Sequence, residues 1–218
     1  MALDYVQGAL ADIRAPVGGP VRISANGAVS TFWLMPRLRA FALGPTACAV
    51  EMVMSDDPQT LLEPEVDLAI VYAEVPPPGW SGERLMGEEL APVAAPDAAP
   101  GLPLLDYERH APDWINWDVW ATRHPEDPLL SRPRTVCRTY AQSIGRAISG
   151  DGIALASCML LEVELASGAL APLTAPALNT GKGYLLITRN GAEPRPDVAV
   201  LRAALGGGPN PQTVANDM

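Results

Sequence analysis

The sequence predicts an α/β fold built on a parallel sheet, and three observations carry that prediction. Between residues 21 and 96, short apolar runs stop at polar or small-residue loops, each followed by a helical pattern or another strand. Residues 67–72 are mostly apolar, as in a strand covered on both faces. The chain has 218 residues, 48% apolar and 18% charged, which suffices for one large domain or two small ones with a buried core.

The elements follow in order. Residues 1–14 read as a helix with a narrow apolar stripe of Leu3, Val6, Leu10 and Ile13. Pro16-Val17-Gly18-Gly19-Pro20 breaks it as a linker. Residues 21–24 alternate apolar and polar as a first strand. Ser30 or Thr31 caps a helix carrying Phe32, Trp33, Leu34, Leu38 and Phe41, with Pro36 near its first turn, where a missing amide costs least. A strand over 47–54, a short helix over 58–62 and a strand over 67–72 come next. Pro76-Pro77-Pro78-Gly79 is a stiff loop, and 84–95 is extended. Residues 94–103, rich in Ala and Pro, read as a crossover. Beyond it stand an aromatic helix (113–120), a strand (134–138), a helix (140–149), a strand (153–156) and a helix (159–166) stopped by Gly168. Strands over 169–173 and 184–189 and a helix over 196–205 complete the pattern. The tail 206–218 has little to bury and is expected to be disordered.

Charge and composition exclude several functions. A net charge of −10 opposes direct non-specific binding to nucleic acid, which needs a basic surface. No apolar run reaches membrane-spanning length, and the N-terminus lacks the pattern of an export signal. The cysteines Cys48, Cys137 and Cys158 are odd in number and far apart, which fits a reducing cytoplasm and no disulfide framework. Cys48 and Cys137 fall in predicted strands as small buried residues; Cys137 is the one to test for redox sensing. His110 and His124 have no partners at metal-ligand spacing, so neither a metal nor a cofactor is expected. Gly79-Trp80-Ser81-Gly82 is not a nucleophile elbow, and no dinucleotide or phosphate loop occurs, so no catalytic residue is assigned and the chain is not expected to be an enzyme. Neighbouring carboxylates in a strand, as at Glu88-Glu89, point to opposite faces. Asp56-Asp57-Pro58 reads as a cap on the following short helix. Trp114, Trp117 and Trp120 fall three apart and read as core packing rather than as a stacking box.

Candidate ligand-binding residues lie in loops at the carboxyl ends of strands, where parallel α/β sheets collect ligands. They are Ser24, Asn26, Gly27, Ala28 and Ser30, then Ser55 and Asp56, then Tyr72 and Ala73, and in the second half Thr139, Tyr140 and Gln142 before a helix whose first amides can hold an anionic group. For Asn26 and Tyr140, plain capping or packing is the competing reading.

Six segments, in this order, resemble the effector-sensing domain of LysR-type transcriptional regulators over residues 18–205. They are Trp33-Leu34-Met35-Pro36-Arg37-Leu38, Val66-Asp67-Leu68-Ala69-Ile70, Glu83-Arg84-Leu85, Glu88-Glu89-Leu90-Ala91-Pro92-Val93, Gly150-Asp151-Gly152-Ile153-Ala154-Leu155 and Gly183-Tyr184-Leu185-Leu186. The resemblance implies two Rossmann-like lobes joined by two crossover strands, like a type 2 periplasmic binding protein. The first lobe would be 20–94 with 189–205 and the second 95–188, with 1–19 the end of a linker helix and its linker. It implies a small-molecule effector between the lobes and a homodimer, with a tetramer as the further option at full length. The dimer would pair the helix near Trp33 to Phe41 with a second-lobe element. DNA would be reached only through a helix-turn-helix domain, which this stretch lacks, and we expect the chain to be part of a longer regulator. A stand-alone solute-binding protein of the same fold is the alternative. Val71 and Ala73 stand where the family often has arginine and glycine, and Thr139-Tyr140-Ala141 where it often has a hydroxyl-rich run, so a smaller or less polar pocket is expected.

Overall fold

The computed structural model describes residues 19–107, 116–173, 177–191 and 195–206. The helix expected over 1–14, most of the linker, His110, Trp114 and the tail after 206 lie outside them.

The described strands form one sheet with two parallel sets bridged by two long antiparallel strands. β1 (Val21–Ala25) lies between β2 (Val50–Met54) and β3 (Leu68–Ala73), parallel to both. β5 (Leu104–Tyr107) lies in the same way between β6 (Arg134–Cys137) and β7 (Ile153–Ser157). Between the sets run β4 (Trp80–Ala94) and β9 (Leu178–Arg189), antiparallel to each other, so that the order is β2-β1-β3-β9-β4-β7-β5-β6. The short β8 (Ala171–Pro172) adds to the end of β4.

β4 changes character along its length. Ser81–Arg84 are exposed and Leu90–Ala94 are buried, and the pairing with β9 shifts register between Arg84 and Met86 and again between Gly87 and Glu89. A Cβ at Gly183 would run into the Met86 carbonyl, so glycine lets the two backbones approach where the strand passes from one set to the other. The sequence pattern showed only the second half of β9, because Leu178–Lys182 alternate between partly and fully exposed residues and carry no apolar signal.

Helices cover the sheet. α1 runs through Gly27–Val29, a π-helical turn Ser30–Leu34 and Met35–Ala42. Its cap is Asn26, whose side chain accepts from the Val29 amide at 2.9 Å, and not Ser30 or Thr31. Pro36 therefore sits inside the helix. The Met35 amide reaches back to the Ser30 carbonyl, a wide turn placed just before the residue that cannot donate. α2 (Trp117–Arg123), α3 (Tyr140–Ile148) and the short α4 (Glu162–Ala166) belong to the second parallel set. α5 (Pro196–Gly206) buries Val198, Leu201 and Leu205.

Three further expectations are corrected. The second strand starts at Val50, so Cys48 precedes it and is only half-buried. The helix expected over 58–62 is a 3-10 turn at Thr60–Leu62, and that over 159–166 is helical only from Glu162, after a turn over residues 158–160. Trp117 and Trp120 are buried, their indole nitrogens donating to the Leu105 carbonyl at 3.1 Å and to Asp127 at 2.8 Å. Among the described residues no helix is long and apolar enough to cross a membrane.

Candidate functional site

A cavity of about 360 Å³ opens where the carboxyl ends of both parallel sets face each other across β4 and β9. β1 and the start of α1 supply Asn26, Gly27, Ala28 and Thr31; the end of β2 supplies Met54, Ser55 and Asp56; β3 supplies Tyr72. From the other side come Tyr107 at the end of β5, Thr139, Tyr140 and Ala141 at the start of α3, and Leu155, Ser157 and Leu160. Glu88 and Leu90 of β4 and Tyr184 of β9 complete the lining.

Eight of the predicted residues meet here: Asn26, Gly27, Ala28, Ser55, Asp56, Tyr72, Thr139 and Tyr140. Four do not line the cavity, and the structure gives a reason for each. Ser24 is fully buried and donates to the Leu61 carbonyl at 2.6 Å. Ser30 is buried and donates to the Ala25 carbonyl at 3.3 Å. The Gln142 side chain turns back to accept from the Arg138 amide at 2.7 Å. Ala73, one residue past Tyr72, follows the strand's alternation away from the cavity.

The polar groups at the two helix starts are already engaged. Asp56 accepts from the Gly27 amide at 2.9 Å, so it caps α1; the short turn is capped by Asp57 alone, which accepts from the Gln59 amide at 3.0 Å. Thr139 accepts from the Gln142 amide at 3.1 Å, closing the start of α3. The Tyr140 phenol oxygen accepts from the Ser157 amide at 2.8 Å. Burial raises the Tyr140 and Tyr184 phenols well above their ordinary range.

Glu88 is the group that sequence reasoning missed. Its neighbour Glu89 is exposed, as strand alternation predicts, while Glu88 is 2% exposed and points inward. Burial pushes its carboxyl up to about 7, partly offset by the nearby Ser157 hydroxyl and Tyr184 phenol. Oε1 nevertheless has no hydrogen-bond partner among the described residues, nor has the Ser157 hydroxyl oxygen. The inward facing of one residue of the acidic pair was legible; which one faced inward depended on the register shifts of β4.

Two contacts join the sides beside the cavity. The Phe32 ring of α1 meets Tyr140 edge-on at 6.2 Å. Arg37 of α1 is buried over the Trp33 ring at 4.1 Å and reaches Glu162 of α4 at 3.8 Å. Burial lowers the Arg37 pKa while Glu162 opposes the shift.

Comparison with known proteins follows this geometry. The family model described as the LysR substrate binding domain matches residues 14–208, and the chain belongs to that family. Similar curated proteins include the HTH-type transcriptional regulator PerR of Escherichia coli K12, 28% identical over 172 residues, covering 76% of this chain and 57% of the relative. The glycine cleavage system transcriptional activator of the same strain is 26% identical over 160 residues, covering 70% of this chain and 52% of that protein. The chain spans about half the length of the curated relatives it matches. Among solved structures, the effector domain of AmpR from Pseudomonas aeruginosa superposes with a TM-score of 0.64 at 19% identity, over 90% of this chain and 96% of that one. Full-length LysG of Corynebacterium glutamicum with its bound effector Arg gives a TM-score of 0.59 at 17% identity, over 94% of this chain and 71% of that one. The fold is thus that of LysR effector-binding domains, a type 2 periplasmic binding protein-like fold, and the chain is a LysR-type substrate-binding domain. Its curated relatives are transcriptional regulators.

Proposed function

We propose that the domain binds a small-molecule effector in the cavity between the parallel sets and that binding changes the balance between two orientations of the lobes. The observation that carries this reading is a cavity lined from both sets, with a buried carboxylate in its wall whose Oε1 has no hydrogen-bond partner among the described residues. A ligand held from both sides favours one orientation by the difference in its affinity for the two. The reading divides the chain into lobes 20–94 with 189–205 and 95–188, with β4 and β9 as the connection between the two parallel sets. In a longer cytoplasmic regulator with a helix-turn-helix domain, as the names of several relatives describe, the change would pass through a homodimer to the DNA reader. The outer side of α1 suits pairing: Met35 and Leu43 are 52% and 85% exposed. Trp33 and Phe41, expected at that interface, are buried in the chain's own core. No catalytic role is proposed.

The test is a thermal-shift screen against aromatic acids, amino acids, amines and β-lactam-like compounds, with molar mass by light scattering. At least one compound should raise the melting temperature with its concentration, as ligands that bind only the folded state do. The effect should vanish in Ala141→Trp, which fills the cavity, and the mass should be that of a dimer. A ligand indifferent to Ala141→Trp, or a monomeric mass, would remove the corresponding part of the reading.

A further inference from the structure

We infer that the effector carries an ammonium or another protonated nitrogen, and that Glu88 receives it; the inference rests on the cavity being the effector site. Glu88 is 2% exposed, lines the cavity and leaves Oε1 without a partner among the described residues. A buried carboxylate in that state is destabilising unless something else completes it, and a donor brought by a ligand does so.

The surroundings select the sign of that donor. None of the described lining residues is Lys, Arg or His, and the second acid in the wall, Asp56, lies on the Gly27 amide. The helix start that could have welcomed an anion on the first-lobe side is therefore closed by a carboxylate of the chain itself. On the other side Thr139 and Gln142 are turned to backbone amides. Four tyrosines, Tyr72, Tyr107, Tyr140 and Tyr184, wall the space, and aromatic faces attract cations. An anionic ligand would meet two acids with no described cation in the lining to offset them. A volume of about 360 Å³ is at the lower end for ligand pockets, which suits a small metabolite.

Receiving a cation requires Glu88 to be ionised. The groups that interact with it are Tyr140 on α3, Cys158 after β7 and Tyr184 on β9; Asp56 beyond β2, Tyr72 on β3 with Lys182 of β9 near its ring, and Tyr107 on β5 stand elsewhere around the cavity, and Glu89 lies on the opposite face of β4. Burial brings the Glu88 carboxyl to about 7. Alkylamines stay protonated to about pH 10, as lysine does, so amine affinity should rise roughly tenfold between pH 6 and pH 8 as Glu88 ionises.

Calorimetry with matched triads tests the inference: butylamine, butanol and butyrate; 2-phenylethylamine, 2-phenylethanol and phenylacetate. The amines should bind and their neutral and anionic counterparts should not. Glu88→Gln should weaken amine binding at least tenfold without lowering the melting temperature, and Glu88→Asp, which restores the charge, should recover part of the loss. Absence of amine binding at millimolar concentration, indifference to Glu88→Gln, or affinity that falls from pH 6 to pH 8 would each overturn the assignment. A carboxylate that binds, survives Glu88→Gln and is lost in Ala141→Trp would overturn it too, yet leave the effector cavity standing. A ligand untouched by Ala141→Trp would remove the cavity itself.

Discussion

The Trp-rich region over α2 and the tyrosine-lined cavity are both aromatic and both largely buried, yet they differ in how their polar atoms end. Around α2, Trp117 and Trp120 each place the indole nitrogen on an acceptor, and Asn116 caps the helix through the Asp118 and Val119 amides. The exception is Nε2 of His124, stacked on Trp120 at 4.2 Å. In the cavity a carboxylate oxygen and a hydroxyl are left without partners, at a greater desolvation cost than an imidazole nitrogen. Aromatic content marks burial in both places; what sets the cavity apart is a carboxylate oxygen and a hydroxyl left over in one wall.

The comparison predicts opposite responses to substitution. Trp117→Ala empties a fully buried site and also strips the Leu105 carbonyl of its donor. It should cost about 3–5 kcal/mol of folding stability, read by urea unfolding. Amine affinity measured well below the lowered melting point should change far less than in Glu88→Gln, because Trp117 shares a core cluster with Leu90 and Leu155 of the wall but does not line the cavity itself. A large affinity change in a folded variant would break the distinction between the two regions.

Glu88→Gln should have the contrary sign. In the folded chain the carboxyl titrates near 7 against an ordinary value of 4.5. Between those values the folded state keeps a proton that the unfolded state has released, so stability falls as pH rises through this window and levels off above 7. Ionised Glu88 thus costs the empty domain up to about 3 kcal/mol at pH 8 relative to pH 4. Glutamine carries no such cost. The stability difference between the variant and the parent should therefore grow in the variant's favour from pH 4.5 to 7, while every other titrating group cancels between them. A flat difference across that range would show Glu88 to be solvated or paired.

The same contrast explains what the sequence could disclose. The parallel strands were legible because β3 and β7 are apolar runs and β1 alternates, each ending at a loop, and eight cavity residues followed from looking at those ends. The Trp pair was legible because spacing by three is a local property of a helix. The first half of β9, the π-helical turn before Pro36 and the inward facing of Glu88 were not. The π-helical turn is local but of a rare geometry; the other two are set by partners distant in sequence, β9 by its pairing with β4 and Glu88 by bulges in that pairing, as the position of Asp56 is by an amide 29 residues away. Hydrophobic pattern reports which face of an element is covered, and carries little about which polar atom is left over once two elements meet.

Asn26 belongs to the cavity but shares the engaged state of the α2 indoles, and it should show the smallest effect. It lines the cavity, but its side-chain oxygen accepts from the Val29 amide. Like the indole nitrogens of α2, and unlike Glu88, it is already engaged. Asn26→Ala should therefore lower folding stability by about 1 kcal/mol, the usual worth of a helix cap, with Asp56 still holding the Gly27 amide. Amine affinity should move less than about twofold, since no group awaiting a ligand has been removed. A tenfold loss of affinity with stability unchanged would reverse the assignment, making Asn26 a ligand contact and the α1 cap dispensable.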